Sequence, residues 1–508
     1  MVTLRISPKN YSIGDFAPLF SGPVRVSLTK NSIKNLNQSN RLMGKIIDSG
    51  KTVYGVNTGF GNLSHIHIEK KDQHALQLNL IRSHAAGVGN PLDHGLVRSI
   101  IVLKILTYVK GYSGVRLKLV EKMVQLLNKN IIPWIPGKGS VGASGDLAPL
   151  AHLALVIIGE GYVFYNGRKM RTESAFKKAR ISSLDLHPKE GLSLINGTQV
   201  SAAMAIKSML KSYIFVQTAD AIGALSVENS LSSRKVFHKN IHELKAHNGQ
   251  QKAARNVFNL LRGSEIVNSH SQCDRVQDPY SFRCIPHIHG ACRDSISGAE
   301  FIINNEINSV SDNPLILKNG NVVNSGHFHA EHLAQAMDIL AISFAELGAI
   351  SERRSYYFMK GIPDKIPPFI AANPGLESGY MMAHVTASSL VSENKTLAHP
   401  ASVDSIPTSG GQEDLVSMAP WAGQKLFQIQ KNLEIIFAVE LLIATAANQS
   451  AFKNLNPGKG TKPIINLVCS LCDFDSGDHI LSNEILILSE KIGNGEIVSF
   501  LNKFIKLD

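Results

Sequence analysis

The sequence predicts a mainly α fold, with a mixed N-terminal lobe over residues 1–200 and a long-helix bundle with its C-terminal region over residues 201–508. Three observations carry this expectation. Val200–Leu225, His329–Phe358, Tyr380–Ala398 and Trp421–Gln449 are long, rich in Ala, Leu, Ile and Met, and free of internal Pro. Such segments, apolar around much of their circumference, suit the central helices of a bundle or an oligomer core. Period-2 alternation is scarce beyond residue 200, which argues against a sheet there. Hydrophobic residues make up 44% and charged residues 18% of 508 residues, too apolar a balance for disorder and enough chain for a sizeable core.

Before residue 200 the texture is mixed. Short β-branched pieces such as Lys51–Val56 alternate with Gly-rich turns and helical runs. Leu92–Val109 reads as one helix from its apolar stripe through Leu96, Ile100, Leu103, Ile105 and Leu106. Val115–Leu127 reads as another, stopped by Asn128-Lys129-Asn130 ahead of Pro133 and Pro136. No tandem repeat or Pro/Ser-rich linker separates the two parts, so they are expected to pack tightly.

The formal charge of +12 raises the question of an anionic partner. The densest basic cluster, Arg168, Lys169, Arg171, Lys177, Lys178 and Arg180, follows the turn-like Asn166-Gly167 and reads as a solvated surface. No nucleic-acid motif or aromatic interleaving accompanies it, so no nucleic-acid partner is expected. Five cysteines do not form a disulfide framework. Cys469-x-x-Cys472 lacks a second ligand pair for zinc, and Cys273, Cys284 and Cys292 read as reduced core thiols. The N-terminus lacks the apolar core of a secretory signal. The apolar stretches Leu147–Ile158 and Ile435–Ala447 are read as too short, or as carrying an acid such as Glu440, to span a bilayer. These features predict a cytoplasmic protein with no membrane partner.

The segment most suggestive of chemistry is Gly139–His152, GSVGASGDLAPLAH. Asp146-Leu147-Ala148-Pro149 resembles a helix start, with an acid and a Pro where the first turn accepts them. Ala143-Ser144-Gly145 therefore precedes a positive helix terminus, where developing negative charge is favoured. In a tight bend the Gly145 nitrogen can attack the Ala143 carbonyl and close a five-membered ring, while Ser144 loses its hydroxyl as water. Glycine is the least hindered nucleophile for that closure. The product is a methylidene-imidazolone, an electrophile that no ordinary side chain offers.

The flanks of this tripeptide and seven further motifs resemble the aromatic amino acid lyase family, which comprises histidine, phenylalanine and tyrosine ammonia-lyases and related aminomutases. The motifs are YGVNTGFG at Tyr54–Gly61, SHAAGVG at Ser83–Gly89, GLSLINGTQ at Gly191–Gln199, VQDPYSFRC at Val276–Cys284, SDNPL at Ser311–Leu315 with FHAE at Phe328–Glu331, and QEDLVSMAP at Gln412–Pro420. The resemblance implies the fumarase/aspartase-like ammonia-lyase architecture. It also implies a 5-imidazolinone made from Ala143-Ser144-Gly145, with Ser144 becoming 2,3-didehydroalanine, and no external cofactor or metal.

Each motif also has a reading of its own. Tyr54 in its Gly-rich loop is either an aromatic anchor or a phenol delivered by a mobile lid; the resemblance makes it the base that removes the substrate β-proton. Asn196 with Gln199 reads as a capping box after an apolar, strand-like run; the resemblance makes Asn196 a group that orients electrophile and substrate. By the same resemblance Tyr280 lies near the electrophile, Arg283 holds the substrate carboxylate, and Gln277 and Phe328 line the substrate site. A planar guanidinium suits a carboxylate because the two can meet bidentately.

Two positions point to the substrate. Ser83-His84 and Glu413 match the histidine-type members, whereas phenylalanine- and tyrosine-type members tend to carry other pairs at the first position and Gln at the second. A carboxylate can bond an imidazole but would be expensively unpaired against an apolar ring. The implied reaction is the non-oxidative deamination of L-histidine to trans-urocanate and ammonia, a step of histidine degradation, in a homotetramer with shared active sites. The rivals are a tyrosine or phenylalanine lyase, a 2,3-aminomutase on the same electrophile, and a non-catalytic helical scaffold. The sequence departs from the family at Leu415, at Gly410-Gly411, and at His327 and His332 beside FHAE. His327, His329 and His332 raise metal binding as an alternative, although the implied chemistry needs no metal.

Overall fold

A computed structural model describes residues 1–271 and 275–508. The chain divides into two compact units: residues 1–207, 300–337 and 400–424 form the first, and residues 208–299, 338–399 and 425–508 the second.

The first unit opens with strands β1 (Val2–Ile6) and β2 (Val24–Leu28), paired in parallel from Val2 opposite Val24 to Ile6 opposite Leu28. Helix α1 (Lys30–Asp48) follows, started by Thr29, whose side chain accepts from the Ser32 N–H. Next come α2 (Gln73–His84), α3 (His94–Val109), α4 (Leu117–Asn128) and α5 (Leu147–Ile157). The predicted stop of α4 holds: the backbone turns left-handed at Asn130. Lys51–Val56 is not a strand. It is a turn that buries Val53 and Val56 against Met43, Ile46 and Ile316.

α3 positions the later chemistry. Asp93 caps it by accepting from the Leu96 N–H at 2.9 Å, and every residue from Gly95 to Val109 is buried. Each fully buried Leu or Ile contributes roughly 1.5–3 kcal/mol, which lets the helix carry the charges Arg98 and Lys104 inside the protein.

The basic segment is a hairpin, β3 (Tyr162–Tyr165) with β4 (Arg168–Arg171), followed by the short helix Thr172–Ala179. Its Arg and Lys side chains are exposed, as expected of a solvated face. The run before Asn196 is helical, α6 (Glu190–Ile195), where the sequence suggested a strand. A run this short fits either form, and full burial removed the alternation that would have separated them.

The four predicted long helices are α7 (Gln199–Asn229), α9 (Glu331–Met359), α10 (Met381–Leu397) and α11 (Ala419–Ala451); a fifth, α8 (Ile285–Ile307), was not foreseen. α9 and α11 are long and apolar enough to cross a membrane by length and composition; the sequence reading did not single out α9, and α11 contains the stretch Ile435–Ala447 with its acid Glu440. Within the fold, 67% and 83% of their apolar windows are buried against protein. In the second unit Phe215 packs edge-on against Phe344 and Phe437, with ring centroids 5.4 and 6.4 Å apart.

Cys284, Cys292, Cys469 and Cys472 are unbridged, and Cys273 lies outside the described residues. Burial pushes the thiols of Cys292 and Cys472 up to about 12 and raises that of Cys469 as well.

Candidate active site

The first unit contains a cavity of about 1130 Å³. Tyr54, His84, Ala143, Ser144, Asn196, Phe328 and Glu413 all line it, although they are scattered over some 360 residues of sequence. Gln277, Tyr280 and Arg283 do not. They form a separate cluster in the second unit around the short helix Tyr280–Arg283. There the Arg283 Nη2 donates to Gln277 Oε1 at 2.8 Å, the guanidinium stacks on the Tyr280 ring, and Tyr280 is 69% exposed.

The Ala143-Ser144-Gly145 loop is held on two sides. On one, the Met418 N–H donates to the Val141 carbonyl at 2.8 Å and Ser417 Oγ to the Gly142 carbonyl at 3.1 Å. On the other, the Asp146 N–H donates to the Gly197 carbonyl at 2.9 Å, and the Gly197 N–H points at the Ser144 carbonyl oxygen at 3.4 Å. This contact requires glycine on both strands. Gly145 sits at φ +77°, and a Cβ there would lie 2.2 Å from the Gly197 oxygen. Gly197 sits at φ +112°, and a Cβ there would lie 2.4 Å from the Ser311 oxygen. The backbone at Gly145 and Gly197 is thus held in conformations and at distances that leave no room for a side chain.

Asp146 stands at the N-cap of α5 but makes no side-chain cap bond there. Its carboxylate instead receives the Val200 and Ser201 N–H groups at 2.9 and 2.8 Å and the Ser201 hydroxyl at 2.8 Å. It therefore satisfies the first turn of α7 and ties that helix to the reactive loop. Burial pushes its carboxyl up to about 6, against these hydrogen bonds and the attraction of Lys104. The capping-box reading of Asn196 fails, because Asn196 ends α6 and α7 starts only at Gln199. The side-chain oxygen of Asn196 is buried at the cavity with no protein partner among the described residues, an acceptor open to whatever occupies the site.

Glu413 and His84 shape the opposite side. Ser144 Oγ donates to Glu413 Oε1 at 3.0 Å, while Thr408 and Ser409 donate to Oε2 at 2.7 and 2.6 Å. The carboxylate is thus fixed directly over the serine. His84 Nδ1 lies 2.8 Å from the Leu80 carbonyl, which can only accept, so Nδ1 carries the proton and Nε2 offers its lone pair. Burial lowers the His84 pKa, opposed by that carbonyl and by Glu413, so the ring is held neutral over a wider range. The Tyr54 oxygen receives the Gly61 N–H at 3.0 Å, which leaves its own proton free to point elsewhere.

Lys104 and Gly197 were not singled out from sequence. Lys104 is fully buried on α3; its ammonium donates to the Asn196 carbonyl and, at 3.3 Å, to Gln199 Oε1. Burial pulls it down to about 7, while Asp312 and Asp146 pull it up and Lys189 pulls it down. A lone Lys inside IIVLKIL was the available signal. His327 and His329 are engaged by Ser325 Oγ and the Leu415 carbonyl, and no group of three metal-ligating side chains occurs among the described residues.

The family model for aromatic amino acid lyase matches residues 11–470. The chain is 45% identical over 446 residues to the histidine ammonia-lyase of Aliivibrio fischeri, covering 87% of this chain and 88% of the relative. Among solved structures it is similar to histidine ammonia-lyase from Trypanosoma cruzi, with a TM-score of 0.90, 33% identity, and coverage of 100% of this chain and 96% of the other. It is also similar to the tyrosine aminomutase from Streptomyces globisporus, with a TM-score of 0.92, 30% identity and full coverage of both. The chain belongs to the aromatic amino acid lyase family.

Proposed function

We propose that this carbon–nitrogen lyase converts L-histidine to trans-urocanate and ammonia without an external cofactor. The observation that carries the reading is a clamped Ala143-Ser144-Gly145 turn opening on a cavity where Glu413 holds the Ser144 hydroxyl and a neutral His84 stands nearby. The loop fits a methylidene-imidazolone, since the close Gly145–Gly197 approach supports a bend that only glycines allow. That group supplies an electrophilic carbon to which the substrate amine adds, making ammonia a good leaving group.

The chain's own residues do the rest. The phenol of Tyr54 takes the β-proton. His84, through the lone pair on Nε2, and the Glu413 carboxylate together position the substrate imidazole, where Gln in place of Glu413 would offer no charge. Asn196 accepts at the electrophile, and Phe328 walls the cavity. Negative charge arising at the loop falls beside the N-terminus of α5 and that of α7.

The substrate carboxylate needs a cation, and the cavity lining contains no Arg or Lys. In our reading a second copy of the chain, within a homotetramer, brings Gln277, Tyr280 and Arg283 to the site. Mixing Ser144→Ala with Arg283→Met chains under conditions of subunit exchange is then expected to regain activity that neither has alone. The reading also places the enzyme in the cytoplasm, in keeping with its unbridged thiols.

Product identification tests the reaction. Supplied with L-histidine, the protein is expected to release urocanate and ammonia in equal amounts. Cinnamate or coumarate from phenylalanine or tyrosine alone, or a β-amino acid, would replace this reading with one of its rivals.

A further inference from the structure

The proposed mechanism leaves one buried charge unused. Lys104 has no carboxylate within ion-pair distance among the described residues, while the neighbouring Lys189 holds both oxygens of Asp312 at 3.1 Å. Burying an ammonium without a contacting counter-charge is costly, and a neutral side chain could have held the Asn196 carbonyl. What distinguishes Lys104 is the peptide it grips. Its ammonium donates to the Asn196 carbonyl, and the N–H of that same peptide, on Gly197, points at the Ser144 carbonyl oxygen at 3.4 Å. A cation on an amide oxygen draws electrons through the amide and makes its N–H a stronger donor.

We propose that Lys104 is a positioning residue that acts through the Asn196–Gly197 peptide to stabilise negative charge on the Ser144 carbonyl oxygen. The inference rests on the reading that the Ala143-Ser144-Gly145 turn matures. Maturation releases two waters. In the first, the Gly145 nitrogen bonds to the Ala143 carbonyl carbon, and the Ala143 oxygen departs with the protons of the Gly145 and Ser144 nitrogens. In the second, Ser144 loses its Cα proton and its Cβ hydroxide, which leave together as water. When the Cα proton departs, the electron pair it leaves is shared with the Ser144 carbonyl oxygen. That oxygen is the atom at which the Gly197 N–H is aimed. Removing the ammonium is therefore expected to slow the second loss more than the first.

The test is intact-mass analysis of freshly purified wild type, Lys104→Met and Lys104→Gln, with thermal unfolding as the check on folding. Wild type is expected to lack two waters. Folded Lys104→Met is expected to lose the second water about tenfold more slowly and to accumulate a species lacking only one. Lys104→Gln, which keeps a donor for the Asn196 oxygen without the charge, should fall between the two. A merely structural lysine would lower the yield of folded protein without accumulating the one-water species. Full two-water loss at the wild-type rate in both folded variants would overturn the inference. If Lys104→Met does not fold, the rate in Lys104→Gln decides it by the same criterion. An unmodified wild type would instead refute the maturation reading itself.

Discussion

Buried charge beside Ser144 is held differently from buried charge in the second unit. In the second unit, each buried Arg or Lys among the described residues meets a carboxylate directly. Arg354 on α9 grips both oxygens of Glu440 on α11, with Nη2 to Oε2 at 2.8 Å and Ser226 adding 2.6 Å to Oε1. Asp220 on α7 is surrounded by Arg293, by His289 at 2.8 Å and by Asn256 at 2.8 Å. Burial pushes the Asp220 carboxyl up, but these partners outweigh it and hold it below the ordinary value. In the first unit Lys189 likewise closes on Asp312, but beside the Ser144 loop Lys104 binds a backbone carbonyl and Asp146 binds the first N–H groups of α7. Pairs closed on themselves fix helices, whereas charges spent on backbone next to Ser144 remain available to chemistry. The contrast teaches that buried charge is not one device: the partner decides whether it serves stability or reaction.

Gly145→Ala strikes the open system hardest. A Cβ placed 2.2 Å from the Gly197 oxygen should displace the loop, with maturation and turnover falling by at least ~1000-fold. The chain should still fold; intact mass and the melting curve check both halves of this expectation.

Arg293→Met breaks the closed system. Asp220 would stay buried without its guanidinium, at a cost of about 3–5 kcal/mol read as a lower melting temperature and denaturant midpoint. Two-water loss per folded chain should persist. If maturation falls in step with stability, the division of labour between the units is wrong.

Glu413→Gln sharpens the comparison at smaller scale. Thr408 and Ser409 can still donate to an amide oxygen, so the melting curve should hardly move. The efficiency kcat/KM with L-histidine is expected to fall roughly 10–100-fold as a charge-assisted contact is lost. An equal loss with every amino acid tested would deny Glu413 a role in specificity.

The smallest effect is a pH dependence. Burial lowers the His84 pKa, so below the ordinary histidine value the unfolded chain takes up a proton that the folded chain refuses. Stability should therefore decline as pH falls from about 6.5 toward the lowered folded value, and His84→Gln should flatten that limb. Chemical denaturation over this range, wild type against variant, measures it.

Much of this was legible in the sequence, for physical reasons. The long helices announced themselves because unbroken apolar runs have few other uses. Ala143-Ser144-Gly145 was readable through the resemblance of its flanks and of the other motifs to the family, with Asp146 and Pro149 marking a helix start just after it. Hidden were the partners set by tertiary packing. Nothing in the chain near Asp146 says that its carboxylate serves α7 rather than α5. The capping reading of Asn196 obeyed local rules, but Gly197 turns the chain at φ +112° before the helix begins. Lys104 went unread within IIVLKIL, because its meaning required the peptide it reaches, 92 residues away. Gln277, Tyr280 and Arg283 matched a motif without being brought to the cavity lining, which no spacing rule could foretell.

The central claim is that this loop becomes an electrophile and that the electrophile deaminates histidine. The most direct measurement is the intact mass of freshly purified wild type beside Ser144→Ala, each then incubated with L-histidine while urocanate is followed. The account predicts a wild type lacking two waters that forms urocanate, and a variant at full mass that forms none. A wild type at full, unmodified mass, with no urocanate, would contradict it.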